Sequence, residues 1–264
     1  MYLQHFGLTG CPLDKGTTTL FDDGQLAILK ERFNWLLESP GIGLLTAEPG
    51  VGKTAALRQL TATLNPHRYQ VIYTEDTHCS RRDLYTTLAL NLSLAPAWRC
   101  TQLWRDIKTR VLELADTKQV QIVWIIDEAQ NLPGDFYQDF SAFLNFAFDS
   151  RELMTVWLLG SPQMLQTINR TSHAALSSRF HVRVELKPMV ESARFRALIE
   201  HGFKAVGCQQ TLLSDSGFEM LRQACGGRPR QACQILKAAL RLAASKGLNH
   251  LPDELIEEAV EILR

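Results

Sequence analysis

The sequence predicts an α/β domain built on a five-stranded parallel sheet, followed by a small all-helical domain. Three observations carry this expectation. Five short strand-like runs, at 42–46, 70–74, 120–126, 154–159 and 181–186, alternate with longer stretches of helical periodicity, the order that gives a parallel sheet covered by helices on both faces. The run 120–126 is apolar except at Gln121, as a strand buried on both faces requires. Beyond about Lys187 no further strand is needed, and 191–206, 214–225, 229–245 and 252–263 read as four helices with short links. The boundary is therefore expected near Pro188, with domains 1–187 and 188–264.

In chain order, 25–38 spaces Leu26, Leu29, Phe33 and Leu36 three and four apart, an amphipathic helix stopped by Pro40 and Gly41. The run 42–46 leads through a glycine-rich turn into a helix near 54–64. The strand 70–74 precedes helices near 83–94 and 102–115. In the second of these Leu103, Ile107, Val111 and Leu114 form the buried stripe, which leaves Arg105 and Lys108 exposed together. Residues 136–148 read as a helix whose phenylalanines at 136, 140, 143, 146 and 148 serve packing, not base stacking.

Composition excludes several classes. The chain has 264 residues, 45% of them apolar, with 28 Lys+Arg against 28 Asp+Glu. That suffices for a substantial core and sets aside disordered and fibrous proteins. A net charge of zero lends no chain-level support to nucleic-acid binding, although local patches matter more than totals. No apolar run approaches the roughly 18 residues of a membrane helix. The opening MYLQHFGLTG has neither a basic region nor an apolar one of secretory type. Six cysteines, at 11, 79, 100, 208, 225 and 233, show no metal-ligand spacing and read as reduced thiols. A cytoplasmic protein without a membrane partner is expected.

The chemistry concentrates in two places. Ala47-Glu48-Pro49-Gly50-Val51-Gly52-Lys53-Thr54 follows the first strand and opens a helix, and it fits the phosphate-loop pattern with Ala at the first glycine. Gly50 and Gly52 let successive backbone N–H groups turn toward phosphate oxygens, and the helix N-terminus adds partial positive charge. Lys53 would reach the β- and γ-phosphates of ATP and Thr54 would ligate Mg²⁺. Glu48, Pro49, Val51 and Ala55 complete the candidate nucleotide-binding stretch. The second place is the end of the strongest strand, where Asp127 and Glu128 follow 122–126. In phosphate-loop NTPases the first acid holds Mg²⁺, and Glu128 is then placed to polarise the attacking water as a general base.

With these motifs in order, the chain resembles AAA+ ATPases, the fold class being a P-loop NTPase domain with a helical lid. Within them it is similar to the ExeA/TnsC/TniB group, which includes MuB-like and IstB-like transposition regulators. The opening Met1 to Leu8, with Pro12 after it, carries the likeness to that group. The resemblance implies further site residues. Ser161, at the end of the fourth strand, corresponds to a polar sensor-1 residue, with Gln163 as an alternative. Arg179, in Ser177-Ser178-Arg179-Phe180, stands where the family places an arginine finger acting on a neighbouring subunit; a cation at a helix C-terminus is its other reading. Gly226-Gly227-Arg228-Pro229-Arg230 resembles a sensor-2 motif, with Arg230 contacting nucleotide and coupling its state to lid angle, and Arg228 as the competing candidate. An arginine acting in trans implies a homo-oligomer, a ring or a helical filament.

Residues 81–110 hold Arg81, Arg82, Arg99, Arg105, Lys108 and Arg110 against Asp83 and Asp106, a net charge of +4. The resemblance implies that this stretch grips the backbone of duplex DNA without sequence preference, through Arg81, Arg82, Arg99, Arg105 and Lys108. A solvated helix face explains the same charges without a partner. The expected function is an ATPase, stimulated by DNA, that oligomerises on duplex DNA with ATP and regulates transposition. It would mark the target and engage a transposase and a target-selection protein. The alternatives are an ExeA-type ATPase assisting assembly of a secretion apparatus and a helicase-loader-like protein. Full secretion versions carry a membrane helix and a peptidoglycan-binding segment beyond the ATPase, and the sequence to Arg264 shows neither, which favours transposition.

Overall fold

All five strand-like runs form strands, and every pairing between them is parallel. The computed structural model describes residues 2–16 and 19–263. The strands are β1 (Ile42–Ala47), β2 (Tyr69–Thr74), β3 (Gln121–Ile126), β4 (Met154–Gly160) and β5 (Phe180–Leu186), in the order β2-β3-β4-β1-β5. The helices are α1 (Tyr2–His5), α2 (Gln25–Glu38), α3 (Lys53–Ala62), α4 (Arg81–Asn91), α5 (Cys100–Asp116), α6 (Gly134–Phe143), α7 (Met164–Ile168), α8 (Ala174–Ser177), α9 (Ser192–Ala205), α10 (Asp215–Cys225), α11 (Pro229–Ser245) and α12 (Asp253–Ile262). They group into two compact units. One comprises 25–47 and 60–186; the other comprises 1–24, 48–59 and 187–264.

The first unit is built around the sheet. β1 and β4 are buried along their whole length and β3 from Ile122 onward, which is what their unbroken apolar sequence demands. β2 lies at the sheet edge and leaves Val71 and Tyr73 exposed. A layer containing Leu84, Tyr85, Leu103, Ile107, Phe136, Phe140 and Phe143 packs with Trp124 in one core cluster. The rings of Tyr85 and Phe143 are 4.6 Å apart and those of Phe136 and Phe140 4.5 Å. Phe33 of α2 stacks at 6.0 Å on Trp157. Gly43 permits this approach, since a Cβ there would lie 2.7 Å from the Trp157 ring and 2.8 Å from Leu36.

Register decides where the loops emerge. Thr46 pairs with Gly160, and Ile126 with both Leu158 and Thr74, so Asp127 and Ser161 follow their strands at the carboxyl edge. Ile42 pairs with Phe180, so Arg179 stands at the amino edge.

Three expectations are corrected in this unit. The helix expected over 136–148 ends at Phe143. The ammonium of Lys108 donates to the carbonyls of Ala142 and Asn145 at 3.1 and 2.9 Å, satisfying acceptors that a helix end leaves open. The chain then bends so that Phe146 is buried and bridges Arg151. Phe148 has φ +61° and is fully exposed, so it does not serve packing. For the same reason Lys108 is half-buried and is not exposed alongside Arg105, and burial lowers the pKa of its ammonium. The short helices α1, α7 and α8 have too few residues to show a helical period.

The second unit packs α9–α12 around Phe195, Ile199, Phe218, Leu221, Leu236, Leu240 and Ile256. Its N-terminal segment is fastened by the Thr9 N–H to the Val206 carbonyl at 3.0 Å and by Leu13 against Gly202. Ser214 caps α10, accepting from the Gly217 N–H, and Gly226 ends that helix in the left-handed region. Gly227 follows at φ +71°, where a Cβ would lie 2.4 Å from the Met189 carbonyl oxygen. The Gly227 carbonyl accepts from the Met189 N–H at 3.0 Å. Gly227→Ala is therefore expected to destabilise the fold by about 1 kcal/mol or more beyond Gly247→Ala. Gly247 shares the positive φ but has open space at its Cβ, so it isolates the backbone contribution. Equal thermal midpoints for the two variants would contradict the steric account.

Candidate functional site

The loop after β1 closes with the Val51 N–H on the Glu48 carbonyl at 3.3 Å, and the Ala56 N–H bonds the Gly52 carbonyl at 2.9 Å. Gly50 and Gly52 have φ of +87° and +118°, conformations that side-chain-bearing residues rarely adopt. The result is a turn of bare backbone leading into α3, whose first residue, Lys53, is buried. Pro49 and Val51 sit within the turn, and Thr54 and Ala55 form the start of the helix beside Lys53. A Cβ on Gly50 would lie 3.1 Å from the Arg230 Cβ.

Both sensor-2 candidates lie beside this loop. The backbone N–H of Arg230 donates to the Gly50 carbonyl at 3.1 Å, which satisfies an open donor in the first turn of α11. The Arg228 guanidinium is 3.5 Å from the Glu48 carboxylate and donates to the Cys225 carbonyl at 3.2 Å. Arg228 is thus engaged in holding loop and helix start together. The Arg230 side chain is exposed and makes no ion pair among the described residues.

In the sheet unit, the buried Asp127 is held on both oxygens. Oδ1 accepts from the Glu128 N–H at 2.8 Å and Oδ2 from the Tyr73 hydroxyl at 3.0 Å. Its own N–H bonds the Thr74 carbonyl at 2.9 Å. Burial, and then the Asp127 charge, push the Tyr73 hydroxyl pKa above its usual range, which keeps it a donor to the carboxylate. Glu128 adopts a left-handed φ of +48°, and its carbonyl accepts from Thr77 Oγ1 at 3.0 Å. The Gln130 amide donates to Glu128 Oε2 at 2.6 Å, while Gln130 Oε1 accepts from the Ser161 N–H at 3.1 Å. Gly160 makes room, since a Cβ there would lie 2.7 Å from Gln130 Oε1. Ser161 Oγ is 3.5 Å from Gln163 Oε1, so the two sensor-1 candidates touch.

Tyr73 and Gln130 escaped sequence reasoning as site residues. Gln130 stands three positions after Asp127, so its position was visible, but its reach to Ser161 spans 31 residues. Tyr73 offered no signal beyond an outward position on a strand.

Asp127 offers hard oxygen donors that suit Mg²⁺.

Arg179 is half-buried at the opposite edge of the sheet, where it lines a shallow pocket with Gly41, Ile42 and Met154. Some 20 Å of strand separate it from the edge that bears Asp127 and Glu128, further than an arginine side chain extends.

The basic stretch sorts into two groups. Arg81 pairs with Asp135, at 3.1 Å, and with Asp139. Arg110 pairs with Glu113 at 2.8 Å, and Lys108 caps α6. Arg82, Arg99 and Arg105 have no carboxylate partner among the described residues. Arg105 contacts Gln102, and Arg82 donates from Nε to the Trp98 carbonyl at 2.9 Å.

A family model described as an AAA domain matches residues 37–168, half of the chain. General secretion pathway protein A of Aeromonas hydrophila is 25% identical over 252 residues, covering 94% of this chain and 46% of that protein. The chain thus spans about half the length of that relative. Among the solved structures that share the fold are two proteins of Aeropyrum pernix. The Aeropyrum pernix ORC2 protein in its ADPNP–ADP complexes has a TM-score of 0.71 at 16% identity, covering 96% of this chain and 72% of that one. The Aeropyrum pernix ORC1 protein in complex with DNA has a TM-score of 0.70 at 14% identity, covering 95% and 68%. At these identities the two structures speak to fold alone.

Proposed function

This chain belongs to the AAA domain family, and from that premise we propose that it is a Mg²⁺-dependent ATPase that assembles on duplex DNA and regulates transposition as a TnsC-like protein. The observation that carries the hydrolytic part is the arrangement at the end of β3. There Asp127 is fixed by two donors, and Glu128 is held through Gln130 to the end of β4. Such fixing orients a carboxylate without cost at the moment of reaction.

In this reading the bare backbone of 48–52 receives the phosphates of ATP, Lys53 neutralises them, and Ala55 extends the helix whose N-terminus faces them. Thr54 and Asp127 would hold Mg²⁺, which supplies charge to the phosphates. Glu128 takes the proton of the attacking water, and Ser161, with Gln163 beside it, orients that water. Arg230 reads the nucleotide from the first turn of α11. Arg179 stands at the sheet edge opposite its own Glu128, which supports its use by a second copy and hence a ring or filament. Arg82, Arg99 and Arg105 are the cations best placed for DNA phosphates. Arg81 and Lys108 would first have to leave Asp135, Asp139 and the end of α6.

A transposase and a target-selection protein are the proposed partners, in the cytoplasm. Among the described residues no helix is long and apolar enough to cross a membrane. The likeness to a general secretion pathway protein favours a second reading, an ATPase assisting assembly of a secretion apparatus. A helicase-loader-like role is a further alternative.

Phosphate release measured with and without duplex DNA separates these readings, together with electron microscopy of the same mixtures. Turnover is expected to rise with DNA, and rings or filaments to form on DNA when ATP is present. Turnover indifferent to DNA, with no assembly on it, would overturn the transposition reading and leave the secretion reading standing.

A further inference from the structure

Trp98 lies in the segment between α4 and α5 and is 84% exposed, a costly position for the largest apolar side chain unless something covers it. Its ring is nevertheless held. The Arg82 guanidinium lies 4.7 Å from the ring centre, and Arg82 Nε donates to the Trp98 carbonyl at 2.9 Å. Arg82 covers one side of the indole and limits its rotation, so the opposite side is a flat apolar surface backed by a cation. Arg99 adjoins it in sequence and is also exposed, and Arg105 lies on the first turns of the helix that follows. Among the described residues none of these three arginines forms an ion pair with a carboxylate, although Arg82 lies near enough to Asp83 to help lower that carboxyl's pKa.

We propose that the Arg82–Trp98 pair is a stacking platform for an unpaired nucleobase, with Arg99 and Arg105 engaging the adjoining phosphates. Charge complementarity selects this occupant. An apolar peptide would cover the ring but leave the arginines without counter-charge, whereas a nucleotide supplies a flat π-face and an anion together. A base inside intact duplex has both faces covered by its neighbours. The ligand is therefore single-stranded DNA or a duplex whose bases are locally unstacked. The proposal rests on the DNA-binding reading above and narrows it to the form of DNA engaged at this surface.

The test titrates fluorescein-labelled DNA in three forms, a single strand, a blunt duplex and the same duplex with a three-base bulge. The proteins are the wild type, Trp98→Ala and Trp98→Phe, compared after matching thermal midpoints confirm folding. Trp98→Ala is expected to weaken single-strand and bulge binding by about tenfold or more, with a smaller effect on the blunt duplex. Trp98→Phe should recover most of the loss. Equal weakening on all three DNAs, or none on any, overturns the platform while leaving DNA binding intact. Wild-type protein that binds none of the three removes the DNA-binding reading, and the platform with it.

Discussion

Glu128→Gln is expected to leave ATP binding unchanged and to slow hydrolysis by about 10²–10⁴-fold, the usual contribution of a positioned general base. The amide has the shape of the carboxylate and can still accept from Gln130, whose amide donates to Glu128 Oε2 at 2.6 Å. Geometry is therefore kept while the proton acceptor is lost. If assembly depends on bound ATP, the variant should also persist in its assembled state. Fluorescent-nucleotide binding and phosphate release, measured on one preparation, check both halves. Turnover within a few-fold of the wild type would remove Glu128 as the base. Gln130→Ala bears on the same network. It frees the Glu128 carboxylate and the Ser161 N–H, so it should lower kcat by less than Glu128→Gln and leave KM near its wild-type value.

Arg179→Ala is expected to have an effect of similar or larger size. An arginine that stabilises charge on the transferring phosphoryl group contributes about 10³–10⁵-fold. Position makes the claim specific. Arg179 precedes β5 at the edge of the sheet where Ile42 begins β1, whereas Asp127 and Glu128 follow β3 at the other edge. Loss of turnover with ATP affinity kept is the expected pattern. A variant as active as the wild type would return Arg179 to the bland role of a cation closing a short helix.

Much of this fold was legible because it is written locally. The uninterrupted apolar stretch 122–126 marks a central strand, and Gly50 and Gly52 mark a turn that few other residues can make. The four C-terminal helices carry full apolar periods, and their observed ends lie within one residue of the expected ones. What local pattern could not show depends on partners distant in the chain. The end of α6 is set by Lys108, 34 residues before the carbonyl it reaches. Arg81 looks like a free surface cation until Asp135 and Asp139 are brought to it. The fixing of Glu128 uses the backbone of Ser161, which carries no sequence signal at all. A periodic run of phenylalanines likewise suggested a longer helix, where Phe146 and Phe148 in fact belong to a bend. The candidate site was thus readable as a set of reactive groups, but not as the network that positions them.

In the proposed assembly one copy's loop and base work with another copy's arginine. Mixing Lys53→Ala with Arg179→Ala protein puts this sharing of the site to the test. Lys53→Ala lacks a functional phosphate loop but keeps Arg179, and Arg179→Ala keeps the loop and Glu128. Each alone is predicted to be inactive, and phosphate release should return when equal amounts are combined in the presence of DNA. A mixture that co-assembles yet hydrolyses no more ATP than either variant alone would contradict the account.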